Sequence, residues 1–102
     1  MILVRHEIGD VLRDFRQQKG RTLRQVASRA SVALGYLSEV ERGQKEASSE
    51  ILAAVAEALD VPIATIMREV ADRLSVLEGL QTFPDVVPDE LVAEIEPELS
   101  LR

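Results

Sequence analysis

The sequence SVALGYLSEVERGQK, residues 31–45, decides how this chain is expected to fold. It contains a turn, a short helix and an exit loop, with Gly43 supplying the permissive backbone where the helix ends. Leu37 and Val40 are three residues apart and can share an inward face with Val32. A short helix with so few buried anchors is only marginally stable in water. A folded core must therefore hold it from behind while its outward side chains meet a partner.

Two further helices are predicted before this stretch. Residues 7–19 carry apolar side chains at i, i+3, i+4 and i+7, which predicts a first helix that Gly20 ends: Ile8, Val11, Leu12 and Phe15. Thr22 and Gln25 then have the spacing of a capping box, so a second helix is expected from about residue 23 to residue 30, with Val26 and Ala27 buried. Ser31 stands near the place where such a turn often has glycine. Two short helices joined by so tight a turn form a helix-turn-helix.

Two more helices are predicted after it. Ser48 is a plausible N-cap, Glu50 complements the first-turn dipole, and a helical apolar stripe follows: Ile51, Leu52, Val55, Ala56 and Leu59. Pro62 fits the first position of a fifth helix. The chain is therefore expected to be all-α, with a five-helix domain over residues 5–71 and an extension over residues 72–102.

The fifth helix is expected to be extended and to carry a seam. Ile63, Met67, Val70, Leu74 and Leu77 are separated by 4, 3, 4 and 3 residues. We expect the first three to pack on the chain's own helices. The later residues lie beyond what a compact domain needs, so a second copy of the chain is the better explanation for them. The dimer interface is thus assigned to four positions: Val70, Leu74, Leu77 and Leu80.

The character of the chain changes from Gln81 onward. Three prolines interrupt this tail, and six acidic residues oppose a single Arg102: Asp85, Asp89, Glu90, Glu94, Glu96 and Glu98. Leu91, Val92 and Ile95 could still form a short amphipathic helix after Asp89. The sequence leaves three interpretations open: a disordered tail, a segment that folds over a partner subunit, and an acidic contact for another protein.

Composition argues against several classes of function. The chain has no cysteine and one histidine, His6, so thiolate ligands, a histidine metal cluster or a Ser-His-Asp triad are hard to build, and we predict no metal, no cofactor and no catalysis. His6 itself is expected to be a solvated residue before the first helix. No signal peptide or membrane-spanning stretch is apparent. A cytoplasmic, nucleoid-associated protein is expected.

The charges are distributed unevenly along the chain. The net charge is −6, yet residues 1–45 hold nine Lys and Arg against five Asp and Glu, which gives +4, and residues 46–102 carry −10. A basic front half suits the phosphates of double-stranded DNA, and an acidic far side can orient the approach. The alternative is a chance distribution of surface charge.

Three segments resemble the lambda-repressor-like, XRE-type helix-turn-helix family: IGDVLRDFRQQKGRTLRQVA, LGYLSEVERGQ and ILAAVAEALDVPI. The resemblance covers about residues 7–70. The run GYLSEVERGQKEASSEILAAV is more narrowly similar to the Clp gene regulator (ClgR) group, small bacterial activators of Clp-protease genes and related stress functions. The resemblance thus implies a sequence-specific, DNA-binding transcriptional activator with no enzymatic activity.

The resemblance also implies roles for individual residues. Base edges would be contacted from the start of the third helix and one turn further along: Ala33, Leu34, Gly35, Tyr36 and Glu39. Phosphates would be contacted by a second set: Arg24, Ser38, Arg42, Gln44 and Lys45. Arg16 and Glu41 match the family's structural salt bridge between the first and third helices.

The sequence departs from the family pattern in ways that affect specificity. Leu23 stands where many members have a glutamine that contacts phosphate, and Leu34 and Gly35 replace polar base readers. Apolar contact with thymine methyls, Glu39 accepting from a cytosine amino group and Tyr36 remain. Glu39 could instead be a solvated surface acid. Tyr36 could instead bind phosphate or pack on the second helix. Specificity is therefore expected to depend partly on DNA shape.

These inferences predict a homodimer that places two such helices in successive major grooves, about 34 Å apart, over a near-palindromic site. RNA polymerase or a protease is the candidate protein partner. Two other functions remain open: an antitoxin or autorepressor whose acidic tail binds a partner protein, and a protein-interaction module that does not bind DNA.

Overall fold

The computed structural model describes residues 1–81, which form five α-helices with no strand among them: α1 (Val4–Gln18), α2 (Leu23–Ala30), α3 (Leu34–Glu41), α4 (Ser49–Leu59) and α5 (Ile63–Gln81). α2 packs against α3 and α4, while α1 packs against α3 and α5, and α4 meets α5. The predicted all-α, five-helix architecture is confirmed. In this arrangement α3 is supported by two other helices and keeps its remaining side exposed.

The core is aliphatic and holds α3 through the predicted anchors. Leu37 is fully buried, Val40 is almost so, and the half-buried Val32 packs against the same cluster. Full burial of a leucine or valine side chain contributes about 1.5–3 kcal/mol. These contacts supply the tertiary support that a helix of eight residues requires.

Local hydrogen bonds fix where α2 and α4 begin. The Thr22 amide donates to Gln25 Oε1 at 2.8 Å, and the Gln25 amide donates to Thr22 Oγ1 at 3.0 Å, so the predicted capping box is present. Ser48 Oγ accepts from the Ile51 amide at 3.2 Å, as expected for the N-cap of α4. Side-chain oxygens thus satisfy backbone donors that a helix start would otherwise leave unpaired.

The start of α1 differs from the prediction. The helix begins at Val4, one turn before the predicted Glu7, and the N-cap residue Leu3 makes no side-chain capping bond. Because the sequence carries no capping signal there, pattern alone could not place this boundary. The extra turn carries Arg5 and His6 on the helix rather than ahead of it.

The buried stripe of α5 also differs from the predicted seam. Ile66 is fully buried and Val70 is 4% exposed, whereas Ile63 and Met67, which we expected to pack on the chain's own helices, are 40% and 37% exposed. The prediction for those two residues is wrong, because α1 and α4 meet the face of α5 that carries Ile66. Val70 is likewise corrected as a dimer-interface residue, since its own core already covers it.

The predictions for the acidic tail, including the helix after Asp89, lie outside the described residues. Within residues 1–81, no helix is long and apolar enough to cross a membrane. The same part of the chain contains no group of three or more His, Cys, Asp or Glu side chains placed to hold a metal ion.

Candidate nucleic-acid interface

The outward face of α3 carries small and polar side chains. Leu37, Val40 and Glu41 face the core and are buried. Gly35 and Glu39 are four residues apart and therefore lie one above the other on the opposite side, where Gly35 is exposed and Glu39 half-buried. This face is the part of α3 that another molecule can reach.

The predicted base-reading residues differ in how far they project. Ala33 is exposed and is the N-cap of α3, with an extended backbone. Leu34 and Tyr36 are half-buried and pack against the core on either side of the outward face. All five predicted positions thus lie at or beside the accessible face, but Leu34 and Tyr36 also serve the fold.

Gly35 has no role in the fold that its surroundings reveal. A Cβ built at this position would meet no atom within 4 Å, and its backbone needs no positive φ. Glycine inside an exposed helix costs about 1 kcal/mol relative to alanine. The absent side chain therefore leaves room for close approach by something outside the chain.

Tyr36 holds the exit loop that follows α3. Its hydroxyl donates to the backbone carbonyl of Glu46 at 2.9 Å, ten residues along the chain. The sequence left open whether this side chain binds phosphate or packs internally. In the structure the Tyr36 ring packs on the core, and its hydroxyl holds the end of the exit loop at Glu46.

Arg16 and Glu41 form the expected ion pair. Arg16 Nε lies 2.7 Å from Glu41 Oε2 and Nη2 lies 3.0 Å from Oε1, a bidentate arrangement between α1 and the end of α3. The side chains are only 15% and 8% exposed. The hydrogen bond to Glu41 is the main reason that the pKa of Arg16 is raised above its ordinary value. This pair fixes the last turn of α3 to α1.

Gly9, which no sequence motif marked as important, permits the close contact of α1 with α3. A Cβ at this position would lie 2.7 Å from the Glu41 carbonyl oxygen and 3.0 Å from the Glu41 carbonyl carbon, both rigid backbone atoms. The available signal was a lone glycine inside a strongly periodic apolar helix. No larger residue fits there without displacing α3.

Three cations on α2, at the end of α3 and in the exit loop have no carboxylate partner among residues 1–81. Arg42 contacts only neutral groups, since it donates to Ser38 Oγ and to Gln44 Oε1, the latter at 3.4 Å. Arg24 and Lys45 are exposed and form no ion pair within the described part of the chain. These three residues are among the five predicted to contact phosphate. Their charges remain available to an anion outside the chain.

Other arginines are neutralised within the protein. Arg21 lies 2.7 Å and Arg29 3.7 Å from Asp60 Oδ2, and Arg73 lies 2.8 Å from Asp14 Oδ2. The hydrogen bond from Arg21 is the main cause of the lowered pKa of Asp60. Arg21 and Arg29 border a basic groove of about 640 Å³ beside the α1–α2 turn, which Arg24 also lines. Unlike Arg21 and Arg29, Arg24 forms no ion pair with any of residues 1–81.

Leu23, at the start of α2, is half-buried and packs against the core. Its side chain therefore serves the fold. The outward surface at this end of α2 belongs instead to Arg24 and Gln25, which are exposed.

Residues 12–66 match the model of the helix-turn-helix family. The chain is 50% identical over 78 residues to the transcriptional regulator ClgR of Mycobacterium tuberculosis, an alignment that covers 76% of this chain and 70% of that protein. It is also 38% identical over 63 residues to the regulator SinR of Bacillus subtilis, with coverage of 61% and 57%.

Solved structures agree with the sequence comparison. The fold matches a crystal structure of the clp gene regulator ClgR from Corynebacterium glutamicum with a TM-score of 0.68 and 48% identity, covering 72% of this chain and 95% of that one. A second structure of the same regulator matches with a TM-score of 0.73 and 38% identity, covering 95% of both chains.

Proposed function

Because the chain belongs to the XRE-type helix-turn-helix family of DNA-binding transcriptional regulators, and more narrowly to the ClgR group, we propose that it binds near-palindromic operators as a homodimer and activates Clp-protease and stress-related genes. The family is one of regulators and not of enzymes. The observation that carries the proposal is the accessible face of α3, with a glycine that the fold does not require and with nearby cations that no carboxylate of residues 1–81 neutralises.

Base recognition in this proposal depends on few groups. Glu39 would accept a hydrogen bond from a cytosine amino group, and Ala33 with the exposed part of Leu34 would contact thymine methyls. Gly35 would let the helix backbone approach the floor of the major groove. Tyr36 would contribute its ring edge while its hydroxyl stays on the exit loop. Because so few side chains would contact base edges, part of the sequence specificity would depend on DNA shape.

Phosphate contacts would fix the position of α3 on the duplex. Arg42 and Lys45 lie at and just beyond the end of this helix and carry uncompensated charge, Gln44 stands between them, and Ser38 precedes them on α3. Arg24 would reach the backbone from the start of α2. Such contacts supply most of the affinity and little of the discrimination.

Dimerisation would use the end of α5. Leu80 is 74% exposed and Val76 63% exposed, and the half-buried Leu77 lies between them, outside the core cluster. Leu74 packs partly against the core, so it would contribute only its remaining surface. Two copies joined here would present their α3 helices to half-sites about 34 Å apart.

The choice of target genes rests on the relatives. The Corynebacterium glutamicum protein is named a clp gene regulator. This chain and the Mycobacterium tuberculosis ClgR are 50% identical over 78 aligned residues. Promoters of Clp-protease genes in the genome that encodes this chain are therefore the DNA fragments to test first.

The decisive experiment measures binding to such a promoter duplex by fluorescence anisotropy over a range of salt concentrations. We expect Arg42→Ala and Lys45→Ala each to weaken binding to specific and random duplexes alike, and to flatten the log–log salt dependence by about 0.9 per lost phosphate contact. Arg68→Ala is the matched control, because Arg68 is an exposed arginine on α5 that forms no ion pair within the described residues 1–81. Wild-type slopes in both test variants would contradict the proposal.

A further inference from the structure

The first turn of α1 is bonded to the exit loop that follows α3. Arg5 Nε donates to the backbone carbonyl of Gly43 at 2.9 Å, across 38 residues of sequence. The guanidinium group also lies 3.8 Å from the carboxylate of Glu46. Arg5 thus contacts both ends of the short segment that contains Gln44 and Lys45.

The backbone angle and the lack of a side chain at Gly43 allow this contact. Its φ of +76° lies in the left-handed region, and the ring of His6 packs so closely that a Cβ on Gly43 would lie 2.9 Å from His6 Cγ. Gly43 is buried although the residues that follow it are exposed. His6 is exposed as expected, yet one side of its ring closes over the loop. Only glycine satisfies both the backbone angle and the space available.

The loop is therefore tethered at two points. Arg5 holds the Gly43 carbonyl at one end, and Tyr36 holds the Glu46 carbonyl at the other. Gln44 and Lys45, between the two tethers, are exposed. A segment ordered in advance loses less conformational entropy when it binds than a free segment does.

We infer that Arg5 is a positioning residue for DNA binding: it orders the exit loop so that Lys45 meets a phosphate, and it neutralises Glu46 beside that lysine. This inference rests on the proposed function of the loop. Glu46 is 79% exposed, so the ion pair itself is weak and the hydrogen bond to Gly43 is the larger part of the effect.

The test uses Arg5→Met in the full chain, because methionine retains an aliphatic stem and removes the charge and the donors. Arg73→Met is the matched control: Arg73 also pairs with α1, through Asp14 at 2.8 Å, but contacts no residue of the exit loop. We expect Arg5→Met to weaken binding to specific and random duplexes about three- to tenfold, the range that ordering a side chain or two implies. We expect Arg73→Met to bind like the wild type.

A double variant separates positioning from direct contact. If Arg5 acts through Lys45, Arg5→Met should cause little further loss when Lys45 is already alanine, whereas two independent DNA contacts would give multiplied losses. Amide hydrogen exchange of the free protein gives a second measurement. The Gln44 amide donates to the Glu39 carbonyl at 2.8 Å, and its exchange should accelerate in Arg5→Met and stay unchanged in Arg73→Met.

The outcomes distinguish this inference from the proposed function. If Arg42→Ala and Lys45→Ala weaken binding while Arg5→Met binds and exchanges like the wild type, the inference is overturned and the proposed function stands. Multiplied losses in the double variant also overturn it, because they make Arg5 an independent contact. If Arg42→Ala and Lys45→Ala have no effect on DNA binding, the proposed function itself fails.

Discussion

Burial distinguishes the ion pairs of this molecule at the level of single residues. Arg16 and Glu41 are largely shielded from water and bonded through two contacts, whereas Arg73 and Asp14 remain 30% and 44% exposed. Removing one partner of a buried pair leaves an uncompensated charge in a poorly solvated site. Exposed pairs contribute little because water and salt already screen them.

Glu41→Gln should therefore lower the free energy of unfolding by about 3 kcal/mol. The glutamine keeps the size of the side chain but leaves the Arg16 guanidinium without a countercharge. Urea unfolding followed by circular dichroism measures the change. Asp14→Asn is the control and should cost less than about 1 kcal/mol. Equal losses in the two variants would mean that burial of the Arg16 pair has no energetic consequence.

Gly35 predicts effects of opposite sign on stability and binding. Gly35→Ala should stabilise the free protein by about 0.5–1 kcal/mol, because alanine is the better helix former and its methyl meets no atom of the chain. The same methyl should weaken DNA binding about tenfold if the helix lies close against the groove floor. Thermal unfolding and anisotropy titration measure the two effects. A variant that binds as tightly as the wild type would show that Gly35 is not at the contact.

Single-residue roles were predictable only where a local or family pattern marked them. The capping pair Thr22 and Gln25 is three residues apart, so sequence alone exposes it. The hydrogen bond from Arg5 to Gly43 joins residues that are 38 positions apart in sequence. Arg5 lies in the first turn of α1, which has no capping signal. No periodicity or motif encodes such a contact, which follows from the way α1 crosses the end of α3.

At the scale of elements, the turn between α2 and α3 carries local strain. Ser31 ends α2 with φ 59° and ψ 43°, in the left-handed region. For a residue with a Cβ this conformation is unfavourable by roughly 1–2 kcal/mol. Glycine is frequent near this place in helix-turn-helix turns, and the backbone angle gives the physical reason.

Ser31→Gly should accordingly stabilise the protein, by up to about 1 kcal/mol, since the relief of strain exceeds the extra freedom that glycine gives the unfolded chain. The melting temperature and the urea midpoint report this change. Ser28→Gly is the control, because Ser28 lies inside α2 and glycine there should destabilise by about 0.5 kcal/mol. A loss of stability in Ser31→Gly would show that the serine side chain has an independent role.

In α5, the periodicity of apolar residues does not by itself predict which face of the helix is buried. Its apolar residues fit two overlapping stripes, one through Ile63 and Met67 and one through Ile66 and Val70. Spacing alone cannot choose between them, and the seam that we predicted followed the wrong one in the first half of the helix. The positions of α1 and α4 decide the outcome. For the shorter α3, Leu37 and Val40 were the obvious anchors, and the prediction is confirmed.

At the scale of the whole molecule, the exposed apolar end of α5 predicts assembly. The double variant Leu77→Asp with Leu80→Asp should be monomeric by light scattering and still folded, because neither side chain belongs to the core cluster. Its affinity for a two-half-site duplex should fall steeply, because it loses simultaneous contact with both half-sites.

Ile63→Asp with Met67→Asp is the matched control on the same helix, since both residues are exposed aliphatic or thioether side chains. This control should remain dimeric. If it becomes monomeric while the Leu77 and Leu80 variant stays dimeric, the two copies meet through the first half of α5 instead.

One feature of the fold bears on how a duplex would respond to this protein. Gly9 lets α1 touch the last turn of α3, the Arg16 and Glu41 pair locks that turn in place, and Arg5 holds the backbone just beyond it. Because these contacts hold α3 so closely, the helix has little freedom to tilt or slide. Any mismatch in groove width would then be absorbed by bending of the nucleic acid, so we expect operators with pliable pyrimidine–purine steps to be bound more tightly than stiff ones.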